Sequence, residues 1–194
     1  MLFDVFKFLI HYPTAWIRAA FERYEQRERP EVPLTALGVD VARGGADQTV
    51  ICKRYGSWFP PLLKWPGSET PDGPTVTGLV VNAMGSDTDV LICVDVIGVG
   101  SSVYDTMIGQ ELAADPINFA EGSSHTDKSG RLAMRNKRAE AYWRAREAWD
   151  PVSGDGLAIA PDKERLADLA APKWQITPGG SDGRRQQDIA NRVG

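Results

Sequence analysis

Cysteine and histidine are scarce in this 194-residue chain, with two of each, and no Cys/His spacing of a zinc site occurs. Cys52 and Cys93 lie in apolar, strand-like runs, which fits small core residues and a reducing compartment rather than a disulfide framework. An uninterrupted stretch of the ~18 apolar residues needed for a membrane span is also missing. The apolar start, Met1–Ile10 (MLFDVFKFLI), is broken by Asp4 and Lys7 and soon reaches Pro13. Asp4 stands where a secretory signal would carry basic residues. Positive charge is not in excess: 22 Lys+Arg against 26 Asp+Glu give −4, which excludes a uniformly basic, histone-like DNA binder but not a local basic patch. Repeats and low-complexity tracts are absent as well, so collagen-like, disulfide-scaffold and disordered classes drop out. What remains is an ordinary globular composition, 42% hydrophobic and 25% charged. At this length folding buries roughly 70% of the unfolded chain's surface, enough for a full core.

Thr14 can cap a helix running to about Arg29, which ends before Pro30 and Pro33. Leu34–Val41 and Gln48–Tyr55 read as an antiparallel strand pair around the turn-rich Ala42–Asp47. Further strands are expected at Trp58–Lys64, Asp89–Val96, Ile117–Phe119, Leu157–Ala160 and Lys173–Ile176. Helices are expected at Thr75–Met84, Ser101–Ala114, Leu132–Trp149, Pro161–Ala171 and Ser181–Val193, with Ser101 or Ser102 as a cap. Strand pairs first and strand–helix alternation later predict an α/β fold with a mixed central sheet and helices on its faces.

Two aspartates stand out. Asp40 lies in LGVDV and Asp95 in ICVDV, each a carboxylate at the end of an apolar strand before a glycine-rich turn. An unpartnered carboxylate there costs several kcal/mol in desolvation. Either aspartate could instead be structural, Asp40 accepting from the Gly44/Gly45 turn and Asp95 tying down the Gly98–Gly100 loop. If the strands are neighbours, carboxylates about 4 Å apart repel by ~4 kcal/mol at an effective dielectric near 20. Such a pair shares a proton or binds a divalent cation, and an all-oxygen site suits Mg²⁺ or Mn²⁺. Asp47 is either a third oxygen ligand or an ordinary turn residue. Aspartates around a pair of such ions serve in-line phosphoryl displacement.

Four segments together resemble one family: Gly38–Ile51 (GVDVARGGADQTVI), Val94–Asp105 (VDVIGVGSSVYD), Asn136–Ala148 (NKRAEAYWRAREA) and Ala160–Trp174 (APDKERLADLAAPKW). In order and approximate spacing they resemble the nuclease half of phage terminase large subunits, over roughly Leu34–Gly194. The resemblance implies an RNase H-like fold whose mixed central sheet, with helices on both faces, holds acidic metal ligands. It implies residues 1–33 as an N-terminal helical extension and 34–194 as the nuclease domain. The implied activity is metal-dependent cutting of concatemeric double-stranded DNA during packaging, with Asp40 and Asp95 as catalytic acids and ligands of a pair of Mg²⁺ or Mn²⁺ ions. The implied partners are DNA, the terminase small subunit and the portal protein, in the bacterial host cytoplasm and away from membranes.

The chain departs from the family pattern twice. A phosphate-cradling GxxxxGK[ST] loop, which the family's ATPase half carries, does not occur. The family's third acid follows a segment resembling RSPDxADA, and Gly183–Gly194 (GRRQQDIANRVG) resembles only the approach to it. The expectation is therefore a C-terminally truncated domain, with Asp182 or Asp188 as weak substitutes.

Lys128–Arg146 is locally basic, with Arg135, Lys137 and Arg138 as candidate DNA contacts, joined by Arg184 and Arg185 near the carboxyl end. An alternative reading is a solvated helix face with Glu140–Arg144 as an i,i+4 pair. Without a recognition helix or zinc finger, backbone contacts with little sequence selectivity are expected. His125 reads as a loop residue. Gly98-Val-Gly100 lacks the third glycine of a dinucleotide fingerprint, although a helix amino terminus beside Asp95 could receive a phosphate oxygen. Competing readings are a non-catalytic remnant that binds DNA or a packaging partner, and a sugar-kinase/actin-like ATPase.

Overall fold

A computed structural model of the chain describes residues 13–42, 47–170, 173–178 and 187–192, with side chains through 170. The expectations for Met1–Ile10 and for most of the Ala42–Asp47 turn lie outside these residues. The chain divides into two compact units, one comprising Tyr24–Asn118 with Ala158–Ala160, the other the remaining residues. In chain order the elements are α1 (Thr14–Gln26), β1 (Ala36–Asp40), β2 (Gln48–Arg54), β3 (Trp58–Phe59), β4 (Leu63–Pro66), α2 (Gly73–Met84), β5 (Leu91–Asp95), α3 (Gly100–Gly109), β6 (Ala114–Ile117), β7 (Leu132–Met134), α4 (Lys137–Trp149), β8 (Ala158–Ile159), α5 (Lys163–Ala170), β9 (Lys173–Pro178) and β10 (Gln187–Arg192). Among the described residues no helix is long and apolar enough to cross a membrane.

The first unit is built on a five-stranded sheet of order β4-β2-β1-β5-β6. β1 and β2 run antiparallel, as do β2 and β4, while β1–β5 and β5–β6 are parallel, so the sheet is mixed as expected. Alternation along the strands turns Leu37, Val39, Ile51, Ile92 and Val94 into the core. There they join Val76 and Val80 of α2 and Val103 and Met107 of α3. Asp72 caps α2 by accepting from the Thr75 N–H at 2.9 Å, and Pro74 sits in its first turn, which starts the helix earlier than Thr75. A two-stranded parallel pair, β3–β8, completes the unit.

In the second unit β7, β10 and β9 form a three-stranded sheet in that order, with α4 beside β7 and β10. Trp16 of α1 and Trp143 of α4 both lie about 5 Å from the Arg146 guanidinium carbon, at 5.1 and 5.0 Å from ring centre, holding α1 against α4 by cation–π contact.

Several expected elements change. The strand expected at Trp58–Lys64 splits into β3 and β4, because Pro60 and Pro61 have no N–H to donate to a ladder. The helix expected to Ala114 stops at Gly109, where Glu111 adopts φ 60° and Leu112 N–H bonds back to Met107 O at 3.0 Å; the strand expected at Ile117–Phe119 therefore comes earlier, as β6. The helix expected from Leu132 begins at Lys137, since Asn136 caps it and Leu132–Met134 pair with β10. The helix expected over Ser181–Val193 is replaced at Gln187–Arg192 by β10, which pairs with strands on both sides. Two ladders outweigh a weak local helix preference there.

Two glycines bring α3 and α2 close to neighbouring backbone. A Cβ at Gly100 would collide with the Asp95 carbonyl oxygen, and one at Gly73 would stand 2.5 Å from Ser102 O. Gly78, exposed within α2, has nothing within 4 Å. Gly100→Ala should therefore destabilise the fold by about 3 kcal/mol or more, while Gly78→Ala should stabilise it by about 0.5–1 kcal/mol. Thermal melts of the two variants should move in opposite directions, and a neutral Gly100→Ala would contradict the close packing of α3 on β5.

Candidate active site

β1 and β5 are adjacent and parallel, with Val39 opposite Val94. Both valines point into the core, so the next residue on each strand turns to the opposite face. Those residues are Asp40 and Asp95. They end neighbouring strands side by side, at the roughly 4.8 Å strand spacing of a sheet. The sheet register thus brings together the two candidate carboxylates.

Each strand end is fixed by its own contacts. The Asp95 carboxylate accepts from the Ile97 N–H at 3.0 Å, so it does tie down the loop before α3, as its structural alternative requires. Neither Ser101 nor Ser102 caps α3; the Ser101 hydroxyl donates to Gly98 O at 3.0 Å instead. On the β1 side, the Ala42 N–H donates to the buried Thr49 hydroxyl at 3.1 Å. Thr49 shares a 2.7 Å hydrogen bond with the equally buried Thr70, whose hydroxyl also reaches Ala42 O and Gly67 O at 3.4 Å. Asp47 is held by its backbone, with its carbonyl accepting from Gly67 N–H at 2.9 Å. Gly44 and Gly45, the other proposed partners of Asp40, lie outside the described residues.

Asp40 remains accessible to solvent at the end of its strand. Protein atoms packed around it nevertheless thin its hydration, and this desolvation raises its carboxyl above the usual carboxylate value. The negative charge of Asp95 raises it further, a Val41 N–H bond lowers it, and the charge of Asp47 raises it again. Among the described residues negative charge is therefore in excess at Asp40, a condition that a bound divalent cation would relieve. Among the described residues, no three His, Cys, Asp or Glu side chains are gathered tightly enough to hold a metal ion. Asp47 thus acts on Asp40 through charge and is not drawn into one cluster with the pair. A cleft of about 160 Å³ is lined by Val41 and Ala42, which follow Asp40 in the chain, by Val99 and Ser102, which follow Asp95, and by Thr70, but not by either of the two carboxylates.

The second unit contains a polar cluster of which sequence reasoning had only the Glu140–Arg144 pair, here 3.3 Å apart. Glu140, 7% exposed, is surrounded by donors. Its Oε2 accepts from the Ser123 hydroxyl at 2.7 Å and from Lys137 Nζ at 3.2 Å. Its Oε1 lies 3.3 Å from both His125 Nδ1 and Arg144 Nε. Burial pushes the Glu140 carboxyl up, but Ser123, Lys137 and His125 together outweigh it and hold the group below its usual value. The available signal was Glu140 as the lone acid of a basic stretch, with Lys137 and Arg144 at helical spacing; the contribution of the Ser123–His125 loop had no local signature. Arg135 is exposed just before α4, and Lys137 and Arg138 open its first turn. Arg184, Arg185 and Asp182 lie outside the described residues. Asp188 is on β10 and not on a helix.

No family model matches the chain, and no curated protein matches it in sequence. Solved structures do. The nuclease domain of the large terminase subunit gp2 of bacterial virus Sf6 superposes with a TM-score of 0.61 at 17% identity, over 93% of this chain and 88% of that one. A mutant of that domain carrying manganese and β-thujaplicinol gives 0.63 at 16% identity with the same coverage. The large terminase nuclease of thermophilic phage G20c with bound magnesium gives 0.54 at 14% identity, over 90% and 85%.

The chain has the fold of a phage large-terminase nuclease domain. In this RNase H-like terminase fold the described mixed sheet carries Asp40 and Asp95 at the carboxyl ends of two adjacent parallel strands.

Two stability measurements follow from the opposite environments of Asp40 and Glu140. With EDTA present, Asp40→Asn should melt no lower than the wild type, because it removes repulsion and desolvation; a clear drop would make Asp40 a structural acceptor. Glu140→Gln should cost about 1–3 kcal/mol near neutral pH. A carboxylate held below its usual value stabilises the fold above the 4.5 of an unperturbed glutamate and loses that effect as pH falls through its folded value. The gap between wild type and Glu140→Gln should therefore close on acidification below 4.5. A gap independent of pH would exclude an ionised Glu140.

Proposed function

We propose that this chain is the metal-dependent nuclease domain of a viral DNA-packaging terminase large subunit and hydrolyses phosphodiester bonds of double-stranded DNA. The observation that carries the reading is the placement of Asp40 and Asp95 side by side on β1 and β5 of a terminase-nuclease fold. Structures with this fold have been determined with manganese and with magnesium, which supports divalent ions as the cofactor here.

The donor set fits a hard cation, since the paired groups are carboxylate oxygens and the charges of Asp95 and Asp47 act on Asp40 in the same unfavourable sense. Asp40 and Asp95 are the residues that would hold Mg²⁺ or Mn²⁺, with Asp47 adding negative charge nearby. When bound, a pair of such ions supplies the positive charge that offsets the attacking and leaving oxygens in an in-line displacement. Asp95, tied to the Ile97 N–H, presents its carboxylate in one orientation. The Thr49–Thr70 hydroxyl pair holds the chain that leaves Asp40. Arg135, Lys137 and Arg138, with Arg184 and Arg185, would grip the phosphate backbone without reading sequence. The small subunit and the portal protein are the expected packaging partners, and the host cytoplasm the expected location.

A second reading, a DNA-binding remnant without catalysis, is favoured by one finding: among the described residues no third acid joins the pair. Plasmid nicking in Mn²⁺ distinguishes the two. The nuclease reading expects cleavage that EDTA abolishes and that Asp40→Asn or Asp95→Asn lowers by more than ~100-fold, beyond the loss usual for ligand-supporting groups. Absent cleavage with salt-sensitive DNA binding retained would establish the remnant instead.

A further inference from the structure

We infer that Glu140 is a positioning residue for DNA: it gathers His125, Lys137 and Arg144 into one phosphate-binding cluster at the start of α4. The inference rests on the nuclease reading for the identity of the polyanion. It adds three residues, Glu140, His125 and Arg144, to those the sequence singled out for DNA contact.

The geometry has two parts. Both Glu140 oxygens are committed, one to Ser123 and Lys137 and the other to His125 and Arg144, while the Glu140 side chain is only 9% exposed. The groups it holds face outward instead. Side-chain exposure is 45% for His125, 38% for Lys137 and 61% for Arg144. Water and ligand thus meet the cations and not the anion that orders them. Lys137 and Arg144 together outnumber the single negative charge, so the cluster presents net positive charge even with His125 neutral.

The backbone makes the arrangement rigid. The Phe119–Asp127 loop is strapped to the start of α4 by Lys137 N–H to Glu121 O at 2.8 Å, Arg138 N–H to Phe119 O at 3.2 Å and Met134 N–H to His125 O at 2.9 Å. The Ser123 hydroxyl, bonded to Glu140, also accepts from the His125 N–H at 3.0 Å, which fixes the imidazole's base. Long flexible cations normally lose rotamer freedom when they grip a phosphate. Here the carboxylate has already restricted Lys137 and Arg144, and a planar imidazole stands beside them. Spaced, outward-facing donors along two turns of α4 and the loop before it suit the successive phosphates of a nucleic-acid backbone.

The test is duplex binding measured by fluorescence anisotropy in EDTA, titrated with NaCl, using a short fluorescein-labelled DNA. A phosphate contact contributes about 0.9 to the slope of log K against log salt, which is roughly an eightfold change at 0.1 M. His125→Ala and Arg144→Ala should each weaken binding about five- to tenfold at that salt and lower the slope by up to that amount. Arg18→Ala, an exposed α1 residue of the same unit, should change it less than twofold. Glu140→Gln decides the positioning role by its sign. Removing a negative charge near DNA would tighten binding if only net charge mattered, whereas the cluster requires weaker binding and a shallower slope. Tighter or unchanged binding by a folded Glu140→Gln overturns the inference. So does wild-type affinity in His125→Ala and Arg144→Ala, which stands as a test even if Glu140→Gln fails to fold. If the wild type binds no duplex at low salt, the nuclease reading falls with it; if the wild type binds and nicks DNA while these variants match it, only the cluster falls.

Discussion

The parallel register between β1 and β5 is the constraint on which the candidate site depends. Pairing Val39 with Val94 commits both valines to the core, and alternation then sends Asp40 and Asp95 to the other face together. A slip of one residue in either strand would bury an aspartate among Leu37, Ile92 and Val103, at a cost of several kcal/mol. Hydrophobic burial therefore fixes the carboxylate pair, although the pair itself is electrostatically unfavourable. Raised protonation at Asp40, driven by lost hydration and by the charges of Asp95 and Asp47, records that cost. The fold tolerates it because the apolar residues beside it contribute far more.

The ends of the two strands are secured by different means. Behind Asp95, α3 packs so closely that only glycine fits at position 100, and the Ile97 N–H takes one carboxylate oxygen. Behind Asp40, two buried threonine hydroxyls close a ring of hydrogen bonds with Ala42 and Gly67. Neither device uses a charged side chain, and among the described residues neither carboxylate forms an ion pair. An ion pair at either position would have quenched the negative charge that the proposed cations need.

The placement of the two aspartates in the first unit was legible in the sequence because it is written in short, local patterns. LGVDV and ICVDV each announce a strand with an acid at its end, and their neighbourhood follows from the strand–helix alternation between them. The mixed sheet and most of its helices follow from the same periodicities. Elements decided by distant partners were not legible. β10 carries no period strong enough to distinguish strand from helix, and only its ladders with β7 and β9 choose. The helix expected from Leu132 loses its first turns for a similar reason, since β7 pairs across a long sequence separation while Asn136 restarts the chain as α4. His125 shows the same limit at the level of a side chain. Nothing within a few residues of it predicts that it meets a buried glutamate from the following helix.

Asp40 and Glu140 show how the surroundings, and not the burial alone, decide what a carboxylate is for. Glu140 is the more deeply covered of the two, yet its carboxyl is held below its usual value, because a hydroxyl, an ammonium and an imidazole meet its oxygens. Its charge is spent within the protein, and its chemical consequence is the placement of its partners. Asp40 keeps access to solvent, faces two further negative charges and, among the described residues, receives a backbone N–H. Its proposed consequence is an affinity for an external cation. A saturated acid organises neighbouring side chains, while an unsaturated one recruits a ligand. On that criterion the two units divide the proposed work, with the second holding the polyanion through ordered cations and the first supplying the unsatisfied oxygens that hydrolysis requires.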